Sequence, residues 1–170
     1  MTFFTIGVYG SNEEAFFAAL LKAGVDTFCD IRWRRGVRGK EYAFVNSNRL
    51  QKRLGELGIR YVHLRELAPP PALRQRQYAA DKAQHTAKRQ RTGLDDRFVQ
   101  GYRQEILADF DAGLFVEKLG PDSRNVVLFC VEREPGACHR SILAQRLEQD
   151  LGVTITHLLA EHRHEGPDRC

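Results

Sequence analysis

The segment Cys138-His139-Arg140-Ser141 carries the residue types best suited to chemistry in this 170-residue chain. It precedes Leu143, Leu147 and Leu151, whose four-residue spacing predicts a helix that begins at about Cys138. Backbone N–H groups at a helix N-terminus attract anions and lower the pKa of a nearby thiol. We therefore expect His139, Arg140 and Ser141 to bind an anion such as phosphate, with Cys138 as a candidate nucleophile. In the alternative, Cys138 packs in the first turn and Arg140 pairs with a nearby glutamate.

Further polar residues follow the segments that are predicted to be strands. Asp30 and Glu132 each end such a segment and are candidates for general acid or base catalysis. Asp30 has a structural alternative, which is an ion pair with Arg32. The remaining candidates for binding an anionic substrate are Tyr9, Ser11, Arg32, Arg34, Arg35 and His63.

Short apolar runs and helical patterns alternate along the chain. The runs at residues 3–9, 27–32, 60–64, 126–132 and 154–158 resemble buried parallel strands more than half-exposed ones. Their alternation with helices predicts one α/β domain over residues 1–170, with a mostly parallel five-stranded Rossmann-like sheet. We expect the strand order 3-2-1-4-5, which places the ends of the first and fourth strands together, where open sheets bind ligands.

The positive charge of the chain is concentrated in two segments. Residues 32–40 contain five basic residues and no acidic one, and residues 74–91 contain six basic residues and one acidic one, within a net charge of +4. The second segment belongs to a basic excursion over residues 68–96 that we expect to be partly helical. Such segregation favours an anionic partner, although solvated basic loops remain the alternative. Residues 160–170 are expected to form a frayed tail.

Other features exclude several classes of protein. No run of about 18 apolar residues is present, so neither a membrane span nor a membrane partner is expected. The N-terminus lacks the pattern of a signal peptide, which predicts a cytoplasmic location. Cys130, Cys138 and His139 do not have a common zinc-binding spacing, and no dinucleotide or Walker A motif is present, so we expect neither a metal nor a cofactor.

Several segments together resemble one known family over nearly the whole chain. They include Cys29-Asp30-Ile31-Arg32, the run 58–67, Phe98 through Tyr102, Cys130-Val131-Glu132 and Cys138-His139-Arg140-Ser141. This pattern resembles the domain of unknown function 488 family. The resemblance implies an α/β fold and no particular reaction, and it draws attention to Asp30, Arg32, His63, Cys130, Glu132, Cys138, His139 and Arg140.

Three functions are compatible with these residues. The first is an enzyme, a hydrolase or transferase, that acts on a nucleotide or nucleic acid with a phosphate site at the last helix and carboxylates as acid and base. The second is a nucleotide-binding or nucleic-acid-binding module without catalysis. The third is a phosphatase or sulfur-transfer enzyme with Cys138 as the nucleophile. The sequence does not predict an oligomeric state.

Overall fold

The sheet is the scaffold that positions every candidate residue. A computed structural model describes residues 1–160, so the predicted tail lies almost wholly outside the described residues. Five strands form one all-parallel sheet, which confirms the predicted fold class: β1 (Thr2–Ile6), β2 (Thr27–Asp30), β3 (Arg60–His63), β4 (Asn125–Phe129) and β5 (Ile155–Leu158). The flanking helices are α1 (Glu13–Lys22), α2 (Ser47–Glu56), α3 (Pro71–Ala83), α4 (Asp96–Glu105), α5 (Ala112–Leu119) and α6 (His139–Leu151).

The order of the strands is 3-2-4-1-5, which differs from the expected order 3-2-1-4-5. The pairs β2–β3 and β1–β4 are as predicted, but β4 lies between β1 and β2, and β5 pairs with β1. All four apolar residues of β4, at positions 126–129, are fully buried, whereas β1 contains a threonine and a partly exposed Phe4. The strand that is apolar on both faces takes the central position because both faces of that position are covered.

Two apolar layers cover the two faces of the sheet. Alternate residues of β4 belong to different layers: Val127 and Phe129 pack with α1 and α2, and Val126 and Leu128 pack with α4, α5 and α6. Within residues 1–160, no helix has the length and apolar character needed to cross a membrane. The two-layer arrangement leaves the carboxyl ends of the strands as the edge at which loops can build a site.

Local side-chain and backbone signals set the ends of α1 and α6. The N-cap of α1 is Asn12, whose side chain accepts a hydrogen bond from the Ala15 N–H at 2.8 Å, rather than Ser11, whose hydroxyl donates to the Val8 carbonyl. Cys138 occupies the N-cap of α6, and Gly152 ends that helix in the left-handed conformation with φ of 65°. The predicted start of the last helix therefore agrees with the structure.

Candidate functional site

A pocket of about 440 Å³ lies at the carboxyl ends of β2 and β4. Residues after β1, β2 and β4 form part of its wall, and residues from the segment 69–98, which includes α3, form the rest. Because β4 is next to β2 in the sheet, Arg32 and Trp33 reach the same pocket as Cys130 and Glu132. The volume falls within the usual range for small-molecule sites.

Cationic side chains dominate the wall of this pocket. Seven lysine or arginine residues line it against one acidic residue, Glu132. The seven are Arg32, Arg34, Arg38, Arg74, Lys88, Arg89 and Arg91. Among the described residues, Arg34, Arg38 and Arg74 form no ion pair. The wall of the pocket therefore carries a strong excess of positive charge.

Two of these arginines have a buried N–H group without a hydrogen-bond partner among residues 1–160. Arg32 is only 4% exposed. Its Nε and Nη2 donate hydrogen bonds to Asp30, but its Nη1 donates to no acceptor among the described residues. The Nε of Arg74 is likewise buried without a hydrogen-bond acceptor. An unsatisfied buried donor costs about 1–3 kcal/mol, and more when it is charged. A ligand oxygen in the pocket would remove that cost.

Both carboxylate oxygens of Asp30 accept hydrogen bonds, and the residue does not line the pocket. Its Oδ1 accepts from the backbone N–H and Nε of Arg32, and its Oδ2 accepts from Arg32 Nη2 at 2.7 Å and from the Tyr61 hydroxyl at 2.7 Å. The carboxylate is fully buried, and the same Arg32 Nη2 also donates to the Val45 carbonyl. In the structure Asp30 therefore forms the ion pair with Arg32 that was its alternative role, and it lies outside the pocket wall.

Two thiols and an imidazole meet at one place in the pocket wall. Cys130 directly follows β4, and Cys138 and His139 begin α6. The His139 Nδ1 lies 3.9 Å from the Cys130 Sγ and 3.8 Å from the Cys138 Sγ. All three residues are buried and line the pocket.

The cluster strongly perturbs the titration of its members. Burial raises the pKa of Cys138, but the Cys130 thiol and the positive charges of His139 and Arg140 outweigh burial and hold that pKa well below its ordinary value. The Cys130 pKa is raised by its interaction with Cys138 and by burial. Burial lowers the His139 pKa, and the Cys138 thiolate more than offsets this, so the net shift is upward.

Glu132 is the acidic group of the pocket, and two cations hold it. Its Oε1 lies 3.2 Å from Arg91 Nη2 and 3.4 Å from Lys88 Nζ, and its Oε2 accepts from the Cys130 thiol at 3.3 Å. Burial and the Cys138 thiolate raise the Glu132 pKa, and Lys88 and Arg91 do not fully offset that rise. Of the two predicted catalytic carboxylates, only Glu132 faces the pocket.

Arg140 supports the backbone and does not clamp an anion in the pocket. The residue is fully buried, its Nη1 donates to the Glu132 carbonyl at 2.5 Å, and its Nη2 donates to the Arg133 carbonyl at 2.8 Å. These bonds hold the chain after β4 against β1, where a Cβ on Gly7 would lie only 1.8 Å from the Glu132 carbonyl oxygen. The guanidinium predicted to bind an anion is therefore bonded to backbone carbonyls, and Arg140 does not line the pocket.

The other predicted binding residues divide into two groups. Tyr9, Arg34 and His139 line the pocket, as Arg32 does. Four more do not: the His63 Nε2 donates to the Arg32 carbonyl at 2.9 Å, the Ser11 hydroxyl is bonded within its own turn, and Ser141 and Arg35 lie outside the pocket. The hydroxyl of Ser141 donates to the Cys138 carbonyl.

The basic excursion supplies the residues that the site predictions missed. It folds as α3 and a short 3-10 turn (Lys88–Gln90), and it brings Arg74, Lys88 and Arg91 into the pocket. Arg91 fixes this segment by donating to Asp81 at 2.8 Å, to Glu132 and to the Ala137 carbonyl. The concentration of basic residues in residues 74–91 indicated that this segment contributes to a site, but no sequence pattern indicated where the segment would pack.

Comparison with known proteins identifies the family. The sequence model of the family described as Domain of unknown function DUF488 matches residues 12–147, so the chain belongs to that family. No curated protein and no solved structure matches the chain.

Proposed function

We propose that this DUF488 protein is an enzyme that acts on a phosphate-bearing substrate of nucleotide size bound in the cationic pocket. The single observation that carries this proposal is a pair of buried nitrogens, Arg32 Nη1 and Arg74 Nε, that have no hydrogen-bond acceptor in the part of the chain that the structure describes. They belong to a wall with seven cationic residues and one acidic one. Guanidinium groups form strong, charge-assisted hydrogen bonds with phosphate oxygens.

The shape and lining of the pocket favour a small nucleotide over a long nucleic acid. The volume of about 440 Å³ suits one small molecule. Trp33 and Tyr78 line the pocket, and a flat base can stack on such rings. The exposed Arg34 and Arg38 stand where they would contact a phosphate chain or a second nucleotide. Three free cysteines among the described residues also fit the reducing cytoplasm that we propose as its location.

The catalytic groups of such an enzyme would come from the residues that share the pocket wall with the cations. Glu132, Cys138 and His139 line the same pocket as Arg32 and Arg74. A bound phosphate ester would therefore lie beside a carboxylate, a sulfur and an imidazole. The binding module without catalysis would use the same cations but would have no need for these three groups.

Calorimetric titration with 5′-AMP and 5′-CMP, with adenosine and cytidine as matched probes, tests the binding step. We expect both nucleotides to bind at least tenfold more tightly than their nucleosides, a difference of about 1.4 kcal/mol. Arg74→Gln should weaken nucleotide binding at least tenfold. Arg76→Gln is the matched control because Arg76 lies on the same helix, pairs with Glu105 and does not line the pocket.

Equal affinities of the Arg74→Gln and Arg76→Gln variants would contradict the proposal. Turnover is assayed separately by following the release of phosphate, base or ammonia from the bound nucleotide. Binding without any of these products would identify the binding module instead.

A thiol enzyme is the second candidate, and the position of Cys138 supports it. The Cys138 side chain sits at the N-cap of α6, lines the pocket and lies beside His139, as an activated nucleophile would. This candidate requires a covalent intermediate on Cys138, which mass spectrometry of protein quenched during turnover would detect. Turnover by a folded Cys138→Ser variant at the wild-type rate would eliminate it.

A further inference from the structure

The donor atoms of Cys130, Cys138 and His139 lie close enough together to serve as three corners of a metal-coordination tetrahedron. Bonds of about 2.3 Å to sulfur and about 2.0–2.1 Å to nitrogen separate tetrahedral ligands by about 3.5–3.8 Å. The two S···N distances are 3.9 and 3.8 Å, and the three donor atoms lie within 4.8 Å of one another. An ion at their centre would require movements of only a few tenths of an ångström in the two measured distances.

The hydrogen bonding of His139 presents the correct ring nitrogen to the cluster. Its Nε2 lies 3.1 Å from the Ile31 carbonyl oxygen, and a carbonyl only accepts, so Nε2 carries the proton. In the neutral ring Nδ1 is therefore a lone-pair donor aimed at the two sulfurs. A backbone carbonyl on the distal nitrogen is the usual way in which proteins orient a metal-binding histidine. The Tyr102 ring, 5.4 Å away between centroids, further fixes the imidazole.

The cluster forms part of the wall of the pocket. Cys130, Cys138 and His139 all line the pocket wall, and the Glu132 Oε2 lies 3.3 Å from the Cys130 Sγ. Three protein ligands with an open position toward a cavity are typical of a catalytic zinc centre, whereas a structural centre is closed by a fourth protein ligand. Two thiolates also neutralise the charge of a divalent ion, so the ion can be held in a wall that is otherwise cationic.

We propose that Cys130, Cys138 and His139 form a site for a divalent zinc-class metal ion whose fourth coordination position opens into the pocket. Thiolate and imidazole donors select zinc or cobalt over magnesium or calcium. The site itself does not depend on the proposed function. Its expected role does rest on that function: the open position would hold a water molecule or a substrate oxygen beside the bound phosphate ester.

Cobalt titration of the metal-depleted full chain tests the site. The chain ends with His162, His164 and Cys170, so all measurements use a background in which these are replaced by Gln, Gln and Ser. We expect one equivalent of Co²⁺ to bind, with a thiolate-to-cobalt charge-transfer band and the intense visible bands of a tetrahedral centre, and Zn²⁺ to displace it. Cys130→Ser and Cys138→Ser should lower the affinity for Co²⁺ at least tenfold, and Cys29→Ser, which replaces a buried thiol outside the cluster, should not.

A measurement on unsubstituted thiols guards against variants that do not fold. Zn²⁺ should slow alkylation of Cys130 and Cys138 at least tenfold when the labelled sites are mapped by mass spectrometry. Absence of a charge-transfer band, or alkylation of both thiols at the same rate with and without Zn²⁺, would overturn the proposal. Nucleotide binding by the metal-depleted chain is measured in parallel, so that loss of the metal site and loss of the phosphate pocket are separate outcomes.

Discussion

Replacing Gly7 with alanine tests the close contact that holds the site together. A Cβ at this position would lie 1.8 Å from the Glu132 carbonyl oxygen and 2.8 Å from its carbon. The backbone segments around Gly7 and Glu132 must therefore separate by at least 1.2 Å to restore a 3.0 Å contact. Hydrogen bonds on both sides resist this movement: Cys130 N donates to the Ile6 carbonyl, and Val8 N donates to the Val131 carbonyl.

The expected cost follows from the bonds that the movement breaks. Displacing the Glu132 carbonyl removes its bond from the buried Arg140 guanidinium, and a charge-assisted bond of this kind contributes about 1.5–3 kcal/mol. Overpacking of the interior adds about 1–3 kcal/mol. We expect Gly7→Ala to lower the free energy of unfolding by about 3–5 kcal/mol. At about 2–4 °C per kcal/mol, the Tm should fall by about 6–20 °C.

Gly55→Ala is the matched control because it adds the same methyl group in open space. Gly55 lies in α2, is exposed, and an added Cβ would meet no atom within 4 Å. Removing glycine from a helix should stabilise the protein by about 0.5–1 kcal/mol. Both variants are measured by urea unfolding and by thermal unfolding. A Gly7→Ala variant within 1 kcal/mol of the wild type would refute the role assigned to this contact.

Three further substitutions test the polar network. Asp30→Asn should lower the free energy of unfolding by about 3–5 kcal/mol because it leaves a buried guanidinium without its counter-charge. A loss of turnover without this loss of stability would instead indicate that Asp30 is a catalytic residue. Tyr61→Phe should lower the free energy of unfolding in urea by about 1–3 kcal/mol because it removes the hydrogen bond to Asp30. Tyr78→Phe, at an exposed ring, should change the free energy of unfolding by less than about 0.5 kcal/mol. Equal effects of the two substitutions would count against a contribution from the Tyr61 hydrogen bond. Arg91→Gln should accelerate tryptic cleavage within residues 74–90 by about tenfold because Arg91 joins this segment to Asp81 and to the Ala137 carbonyl. An unchanged cleavage rate would show that other contacts hold this segment in place.

Local elements were predictable from the sequence because their signals are local. The apolar runs located all five strands, and the leucine spacing after Cys138 located the last helix. The order of the strands depends on which strand is buried on both faces. The uninterrupted apolar run at 126–129 was the available sign that β4, rather than β1, is central.

The site was harder to predict because its parts are joined by contacts between distant segments. Arg140 looks like an anion clamp until its bonds to the Glu132 and Arg133 carbonyls are known. Arg74 belongs to a charged segment whose docking position depends on Arg91. The contact between Cys130 and His139 likewise depends on the turn at Pro135–Ala137, whose geometry does not follow from the spacing of residues in the sequence.

The insertion of β4 between β1 and β2 has a consequence for how the chain is made. When the ribosome has released the first 124 residues, β2 and β3 can pair, but β1 has neither of its neighbours, because β4 and β5 are still to be synthesised. The sheet must then close in one late step that depends on contacts far apart in sequence, and such steps are slow. Until that step the unpaired edges of β1 and β2 are open to other chains, so growing copies of this protein should be most prone to aggregate just before Asn125 emerges.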